Sequence, residues 1–374
     1  MNQRRSRKKI WICADVWMDI LPFFERVKIG LILAMVSDRL DALVDTHFDG
    51  KSELTISNWT MISKDKGLKP KLSVCIDDKF VAFPFPDRPL PNKIRFNDLQ
   101  IEYTINHILY FFSYIDHSVI EFLRSNKQIW DRSGTELELD VSKKTEDNHP
   151  IWAVFARQIW PIFAPNIRYF ACFVHLDKLR RLISPTLLTD LDQLISIDSY
   201  NLFPDAITDF NGPNATVGQA LSKWLHTPSK NGRPKRLFCG SFIGNFDWID
   251  GFKETFLRAT ASVSYQIRIG ICMLIKPIEP FKLFNERTKE MLTLEEILQI
   301  LGNSWLLKRC PISEKAAIQW ENDENWDDNL NNVHITLCGG KTSTGPSCRP
   351  QRKKKNKKKK KQAKALKRRR TARK

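Results

Sequence analysis

The chain has 374 residues, 42% of them apolar, with 11 Trp and 23 Phe, and that much aromatic surface excludes a mostly disordered protein. Its formal charge of +18 is not spread evenly: residues 349–374 hold 17 Lys and Arg and no acid, so residues 1–348 carry 43 basic against 42 acidic groups. Without the five basic residues among the first nine, residues 10–348 are slightly acidic, 38 against 42, which excludes a basic nucleic-acid surface spanning the whole domain.

The chain starts with a basic stretch, Arg4 to Lys9, but Asp15 and Asp19 interrupt the apolar run that a secretory signal requires. No stretch reaches the ~18 apolar residues of a membrane span, so the sequence predicts an intracellular protein with no membrane partner. Between residues 10 and 48 the apolar positions recur at helical spacing in three blocks. Val16 or Trp17, with Ile20, Leu21 and Phe24, forms one; Ile29, Ile32, Leu33 and Val36 the second; Leu40, Leu43, Val44 and Phe48 the third. Asp15 and Ser37 are the expected N-caps, and Pro22 is expected near the end of the first helix. Three short helices cannot bury this much apolar surface among themselves, so the surplus needs a partner in the same chain or in another.

The run Trp11-Ile-Cys-Ala-Asp-Val-Trp-Met-Asp-Ile-Leu-Pro-Phe-Phe, followed by Gly30-Leu-Ile-Leu-Ala-Met-Val-Ser-Asp-Arg-Leu-Asp-Ala-Leu-Val-Asp, resembles a divergent F-box. Ala14-Asp15 stands where that motif usually has Leu-Pro. The resemblance continues through His47-Phe-Asp-Gly, Phe83-Pro-Phe-Pro-Asp-Arg-Pro, Asp116-His-Ser-Val-Ile-Glu-Phe-Leu and Trp305-Leu-Leu-Lys-Arg-Cys-Pro-Ile, in the order found in nematode-type F-box proteins with an F-box-associated region. It implies an F-box-like helical domain over 10–49 and a substrate-recognition domain over 50–338. It also implies a non-catalytic role as substrate-recruiting subunit of an SCF-type cullin-RING ubiquitin ligase. The residues it assigns to contact with a Skp-type adaptor are Ala14, Asp15, Val16, Ile20, Leu21, Phe24, Leu31, Val36 and Leu43. The protein substrate stays unspecified.

Beyond Gly50 strand-like runs alternate with helical stretches. Strands are expected at 72–76, 94–103, 137–141, 167–173, 194–197, 237–242 and 265–271, with helices at 118–129, 151–163, 217–225 and 249–258. A near-regular step close to 28 residues, with one strand and one helix per unit, predicts an α/β body built as an irregular leucine-rich-repeat-like solenoid. Without a Leu-Asn consensus, a doubly wound or mixed α+β body also fits.

No reactive constellation stands out. The seven histidines form no HExxH or other ligand pair, and the eight cysteines, at 13, 75, 172, 239, 272, 310, 338 and 348, form no CxxC, which predicts buried reduced thiols and neither metal nor cofactor. Gly340-Lys341-Thr342 imitates the end of a phosphate-binding loop, but the required earlier Gly falls on Ile335. Cys310-Pro311 offers a thiol with no base nearby in sequence.

Residues 339–374 read as a linker and basic tail too charged to bury anything, hence disordered in isolation. Arg352, Lys353, Lys354, Lys355, Lys357, Lys358, Lys367, Arg368, Arg369 and Arg370 are expected to serve nuclear or nucleolar targeting, with the cytoplasm as the other location, and the same charge is expected to attract nucleic-acid phosphates weakly and without sequence readout. A nuclear nucleic-acid-associated protein is therefore the alternative reading.

Overall fold

The computed structural model describes residues 12–24, 28–48, 54–56, 60–63, 71–76, 79–85, 89–90, 94–96, 99–101, 117–141, 150–172, 175–205, 215–230, 232–244, 246–274, 278–297, 303–312 and 331–337. Residues 1–340 form one compact unit; residues 341–374, which hold the whole basic tail, lie outside the described residues.

The N-terminal segment is helical where the periodicity places helices: Ala14–Ile20, a 3-10 turn Leu21–Phe23, a wide π turn Ile29–Leu33 continuing into Ala34–Val36, and Asp38–Phe48. Pro22 lies in the 3-10 turn that closes the first helix, and the Leu40 amide donates to Ser37 Oγ at 3.2 Å, the cap read from sequence. Asp15 is not the first cap. Cys13 takes that position, and Asp15 sits in the first turn, where its negative charge is stabilised by the positive end of the helix dipole.

The strands of the first third are β1 (Leu54–Ile56), β2 (Thr60–Ser63), β3 (Lys71–Ile76), β4 (Lys79–Pro84), β5 (Ile94–Phe96) and β6 (Leu99–Ile101). The single strand expected at 94–103 is thus two, with the turn-favouring pair Asn97-Asp98 between them in sequence. The middle of the chain alternates: β7 (Thr135–Val141), a helix over 151–163, β8 (Ile167–Cys172), helix Leu176–Leu182, β9 (Ser196–Tyr200), helix Val217–His226, β10 (Lys235–Gly244), helix Trp248–Arg258 and β11 (Tyr265–Leu274). An antiparallel run follows, β12 (Phe281–Asn285), β13 (Glu290–Ile297) and β14 (Asn303–Pro311), and then β15 (Asn331–Leu337).

Local chemistry explains several of these boundaries. Thr216 and Gln219 form a reciprocal capping box at the start of Val217–His226, with distances of 3.0 and 2.9 Å. Within the helix over 151–163, Pro161 lacks the N–H that would bond one turn back, and the wide π turn Phe155–Ile159 directly precedes it.

Thirteen strands among the described residues form one mixed sheet in the order β12-β13-β14-β11-β10-β9-β8-β7-β15-β6-β2-β3-β4, while β1 and β5 pair separately. The eight strands from β11 to β2 are parallel, and both flanks are antiparallel. The architecture is therefore α/β with a large mixed sheet. β15 enters between β7 and β6 and joins the first third of the chain to the middle.

β7 to β11 lie side by side in sequence order without reversal. Right-handed crossovers that always step the same way leave every connecting helix on one face of the sheet. The contacts agree: Trp160 meets Phe170 edge-on at 5.8 Å, His226 and Phe252 flank Tyr265 at 5.2 and 6.2 Å, and the Arg309 guanidinium lies 5.3 Å over Phe256. On that face one buried row crosses nine strands, Leu99-Val333-Leu137-Phe170-Ile197-Leu237-Ile267-Leu307-Leu294, each residue paired with the next. Truncating one of its leucines to Ala costs about 2–5 kcal/mol. Leu21, Ile29, Leu31, Ala34, Val44 and Phe48 join the same apolar core.

Candidate interaction surfaces

Two surfaces emerge. The first is carried by the N-terminal helices. Of ten large apolar side chains exposed among the described residues, five lie between positions 16 and 36: Val16, Phe23 (87% exposed), Phe24, Ile32 and Val36 (64%). Single exposed apolar residues are ordinary; half of the total within about twenty residues is not. The nine residues assigned to adaptor contact divide into three groups. Ala14, Asp15, Val16, Phe24 and Val36 are exposed, Ile20 and Leu43 are half-buried, and Leu21 and Leu31 are buried in the chain's own core. Leu21 and Leu31 therefore support the surface from beneath. Phe23, the most exposed apolar side chain described, was missed because helical spacing selects Phe24 and the 3-10 turn breaks that spacing. Arg39 Nη2 donates to the Ile12 carbonyl at 2.6 Å and ties the third helix to the start of the first.

The second surface is the sheet face opposite the helices. Parallel sheets are usually covered on both sides and their strands read as continuous apolar runs. β7 instead alternates, with Thr135, Leu137 and Leu139 buried and Glu136, Glu138 and Asp140 half-buried to exposed. The pairing carries the pattern across the sheet in two rows. One runs Gln100, His334, Glu138, Ala171, Asp198, Phe238, Arg268, Leu306; the other Glu136, Tyr169, Ser196, Arg236, Gln266, Lys308.

Charge separates along these rows between β7 and β14, beyond which Glu295 on β13, the next partner of Leu306, is acidic again. β7 and β9 present Glu136, Glu138 and Asp198, whereas β10, β11 and β14 present Arg236, Arg268 and Lys308. Aromatic rings lie near the boundary: Phe238, half-buried, and Tyr200, exposed. A side chain at Gly240 would put its Cβ 3.2 Å from the Tyr200 ring and 3.3 Å from Phe238, and one at Gly270 would sit 3.4 Å from Phe238. The two glycines keep the floor low enough for these rings.

On the acidic half, Tyr169 donates its hydroxyl to Asp198 Oδ2 at 3.0 Å, and His334 Nδ1 lies 3.0 Å from Glu138 Oε2. The hydrogen bond to His334 holds the Glu138 carboxyl below its ordinary range. Partial burial pushes Asp198 up, opposed by the Tyr169 hydroxyl and reinforced by the Glu138 charge. Burial and then the Asp198 charge push Tyr169 well above the usual phenol range, so Tyr169 stays neutral and donates.

A cleft of about 350 Å³ lined by Trp160, Ile183, Leu187 and Leu191 holds Ser184, but the Ser184 hydroxyl is bonded to Asp190 at 2.7 Å, and no histidine is among the lining residues. Among the described residues no group of three or more His, Cys, Asp or Glu could hold a metal ion, and no helix is long and apolar enough to cross a membrane. Of the described cysteines, Cys172, Cys239 and Cys310 are buried free thiols, as the sequence predicts, while Cys13 is exposed, against that expectation. Burial pushes the Cys239 thiol up to about 12, far from a reactive thiolate. The phosphate-loop imitation at 340–342 and all ten targeting residues between Arg352 and Arg370 lie outside the described residues. Comparison with protein-family models, curated proteins and solved structures finds no match to this chain.

Proposed function

We propose that the chain is a non-catalytic, F-box-like substrate receptor of a cullin-RING ubiquitin ligase. Its N-terminal helices dock on a Skp-type adaptor and its open sheet face holds a protein substrate. The observation that carries this reading is the concentration of exposed apolar side chains at Val16, Phe23, Phe24, Ile32 and Val36, the surplus that three short helices hand to a partner. The body supports it as well. Consecutive parallel strands from β7 to β11, with helices on one side and an alternating, half-buried face on the other, favour reading this part of the mixed sheet as an irregular leucine-rich-repeat-like solenoid that offers one face to a protein. Such a receptor works by proximity, raising the effective concentration of a substrate lysine near the conjugating enzyme, and needs no reactive residue of its own.

The test is co-purification of the full chain with a Skp-type adaptor, repeated with Phe24→Asp and Val36→Asp. Both positions are exposed, so both variants keep the fold. Binding by the parent chain and its loss in the variants is the expected result. An intact chain that does not bind the adaptor overturns the reading.

The tail supports an additional role. Seventeen basic residues and no acid in 349–374 favour nuclear or nucleolar targeting and salt-sensitive contact with nucleic acid. Affinity for RNA measured against salt, for the full chain and for one ending at Ser347, tests this; unchanged affinity after truncation defeats it.

A further inference from the structure

The charge separation on the open face specifies the chemistry of its occupant. Acidic side chains come from β7 and β9 and basic ones from β10, β11 and β14, with the Phe238 ring between the two groups over Gly240 and Gly270. The residues directly between Glu138 and Asp198 on one row, and between Tyr169 and Arg236 on the other, are Ala171 and Ser196, so the floor there is low. A uniformly basic polypeptide, or a uniformly acidic ligand such as nucleic acid, is repelled by one half of this face.

We infer that the open sheet face binds an extended polypeptide segment of split charge, basic where it crosses β7 to β9 and acidic where it crosses β10 to β14, with an aromatic or apolar side chain resting on Phe238. This rests on the reading of the open face as the substrate-holding surface. Spacing sets the length of the segment. Glu138 on β7 and Arg268 on β11 are four strands apart, about 19 Å at ~4.8 Å per strand, and an extended chain at ~3.4 Å per residue crosses that in about six residues. The recognised feature is therefore a short block of Lys or Arg and a short block of Asp or Glu about six residues apart, flanking a bulky apolar residue. Charge complementarity of this kind suppresses wrong partners more than it adds affinity.

The probe is a synthetic peptide of three lysines, Gly-Trp-Gly and three glutamates, titrated by fluorescence anisotropy onto the full chain in the absence of adaptor. A peptide of identical composition with alternating charges is the control, and because its net charge is the same, it also reports attraction to the basic tail. The block peptide is expected to bind at least about tenfold more tightly than the alternating one, with the advantage shrinking as salt rises. Glu138→Gln with Asp198→Asn, and separately Arg268→Gln with Lys308→Gln, are near-isosteric and are each expected to weaken the block peptide by about fivefold or more. Equal binding of the two peptides, or block-peptide binding unchanged in both double variants of folded protein, overturns the inference. Failure of the ligase reading looks different. Phe24→Asp leaves peptide binding at the parent level, and a chain that binds the block peptide but no adaptor keeps this inference while losing that reading.

Discussion

Arg309 on β14 and Glu290 at the start of β13 form an ion pair of 2.6 Å in which both side chains are inaccessible to water, 1% and 0% exposed. Both carboxylate oxygens of Glu290 are bonded, Oε2 by Arg309 and Oε1 by the segment before β11. Glu290 Oε1 accepts from Ser262 Oγ at 2.7 Å and from the Val263 amide at 2.8 Å, while Arg309 Nη2 also donates to the Ala261 carbonyl at 3.0 Å. The pair pins the turn after helix Trp248–Arg258 to the antiparallel flank. Removing one partner leaves a buried charge with nothing to balance it, so Arg309→Met is expected to lose about 3–5 kcal/mol. Arg309→Met with Glu290→Gln should recover about 1–3 kcal/mol of that, because the neutral amide oxygen still accepts from Ser262 and Val263. Urea unfolding of the three proteins checks the order; a double variant no more stable than Arg309→Met would contradict it.

His226 gives the fold an acid-sensitive element. Its ring lies 5.4 Å from Phe252 and 5.2 Å from Tyr265, and Nδ1 is 2.8 Å from the Ser222 carbonyl. Burial lowers its pKa to about 4, with the Arg309 and Lys235 charges acting in the same direction and the Ser222 carbonyl and Glu290 opposing. The folded form thus keeps the imidazole neutral, whereas the unfolded chain takes up a proton below ~6.5. The corresponding stability is full above that value and is lost as pH falls from ~6.5 toward 4, on the order of 3 kcal/mol in all. His226→Phe keeps the ring contacts, and its urea midpoint should fall less steeply than the parent's over that window.

Much of the fold is legible in the chain, and the parts that are not share a physical cause. Helix Val217–His226 is read to within one residue because its apolar stripe and the Thr216 cap are both local. The core row through Leu137, Phe170, Ile197, Leu237 and Ile267 follows from apolar runs at near-regular steps. The hairpin joining β12 to β13 is silent, since its left-handed position is Lys289, at φ 54°, where a Gly or Asn would have signalled a turn. The seating of β15 between β7 and β6 pairs Val333 with Leu137, 196 positions away, and with Leu99, 234 positions away, which no local pattern encodes. At the sites, alternation in β7 was visible, but the opposition of Glu138 to Arg268 needs the strand order, and the meeting of Glu290 with Arg309 needs the register of β13 on β14.

Gly134, between helix Lys127–Ser133 and β7, has φ 83° and ψ 169°, a region nearly closed to other residues. A Cβ there would also lie 2.6 Å from the Arg168 side chain. Gly134→Ala is therefore expected to destabilise the fold by about 1–3 kcal/mol. Gly232→Ala, at φ 70° with nothing within 4 Å of the added carbon, should cost only about 1 kcal/mol. Equal midpoint shifts for the two variants would mean that Arg168 gives way freely.

Leu21 and Phe23 are two residues apart in one 3-10 turn and face opposite environments, 0% and 87% exposed. Leu21 belongs to the shared core, and Leu21→Ala leaves a cavity under the helices, so a loss of about 2–5 kcal/mol is expected. Phe23→Ala removes a ring that touches mostly water, and stability should move by no more than about 0.5 kcal/mol. Adaptor co-purification separates packing from docking at this turn. If Phe23 is an anchor of the proposed interface, Phe23→Ala weakens the complex by tenfold or more at unchanged stability, as truncation of a central aromatic does elsewhere. Leu21→Ala should weaken the complex only in proportion to the fraction unfolded, so that lowering the temperature restores binding in that variant and not in Phe23→Ala. Binding by Phe23→Ala at the parent level, or its restoration on cooling, would remove Phe23 from the docking surface and leave its exposure without a binding role.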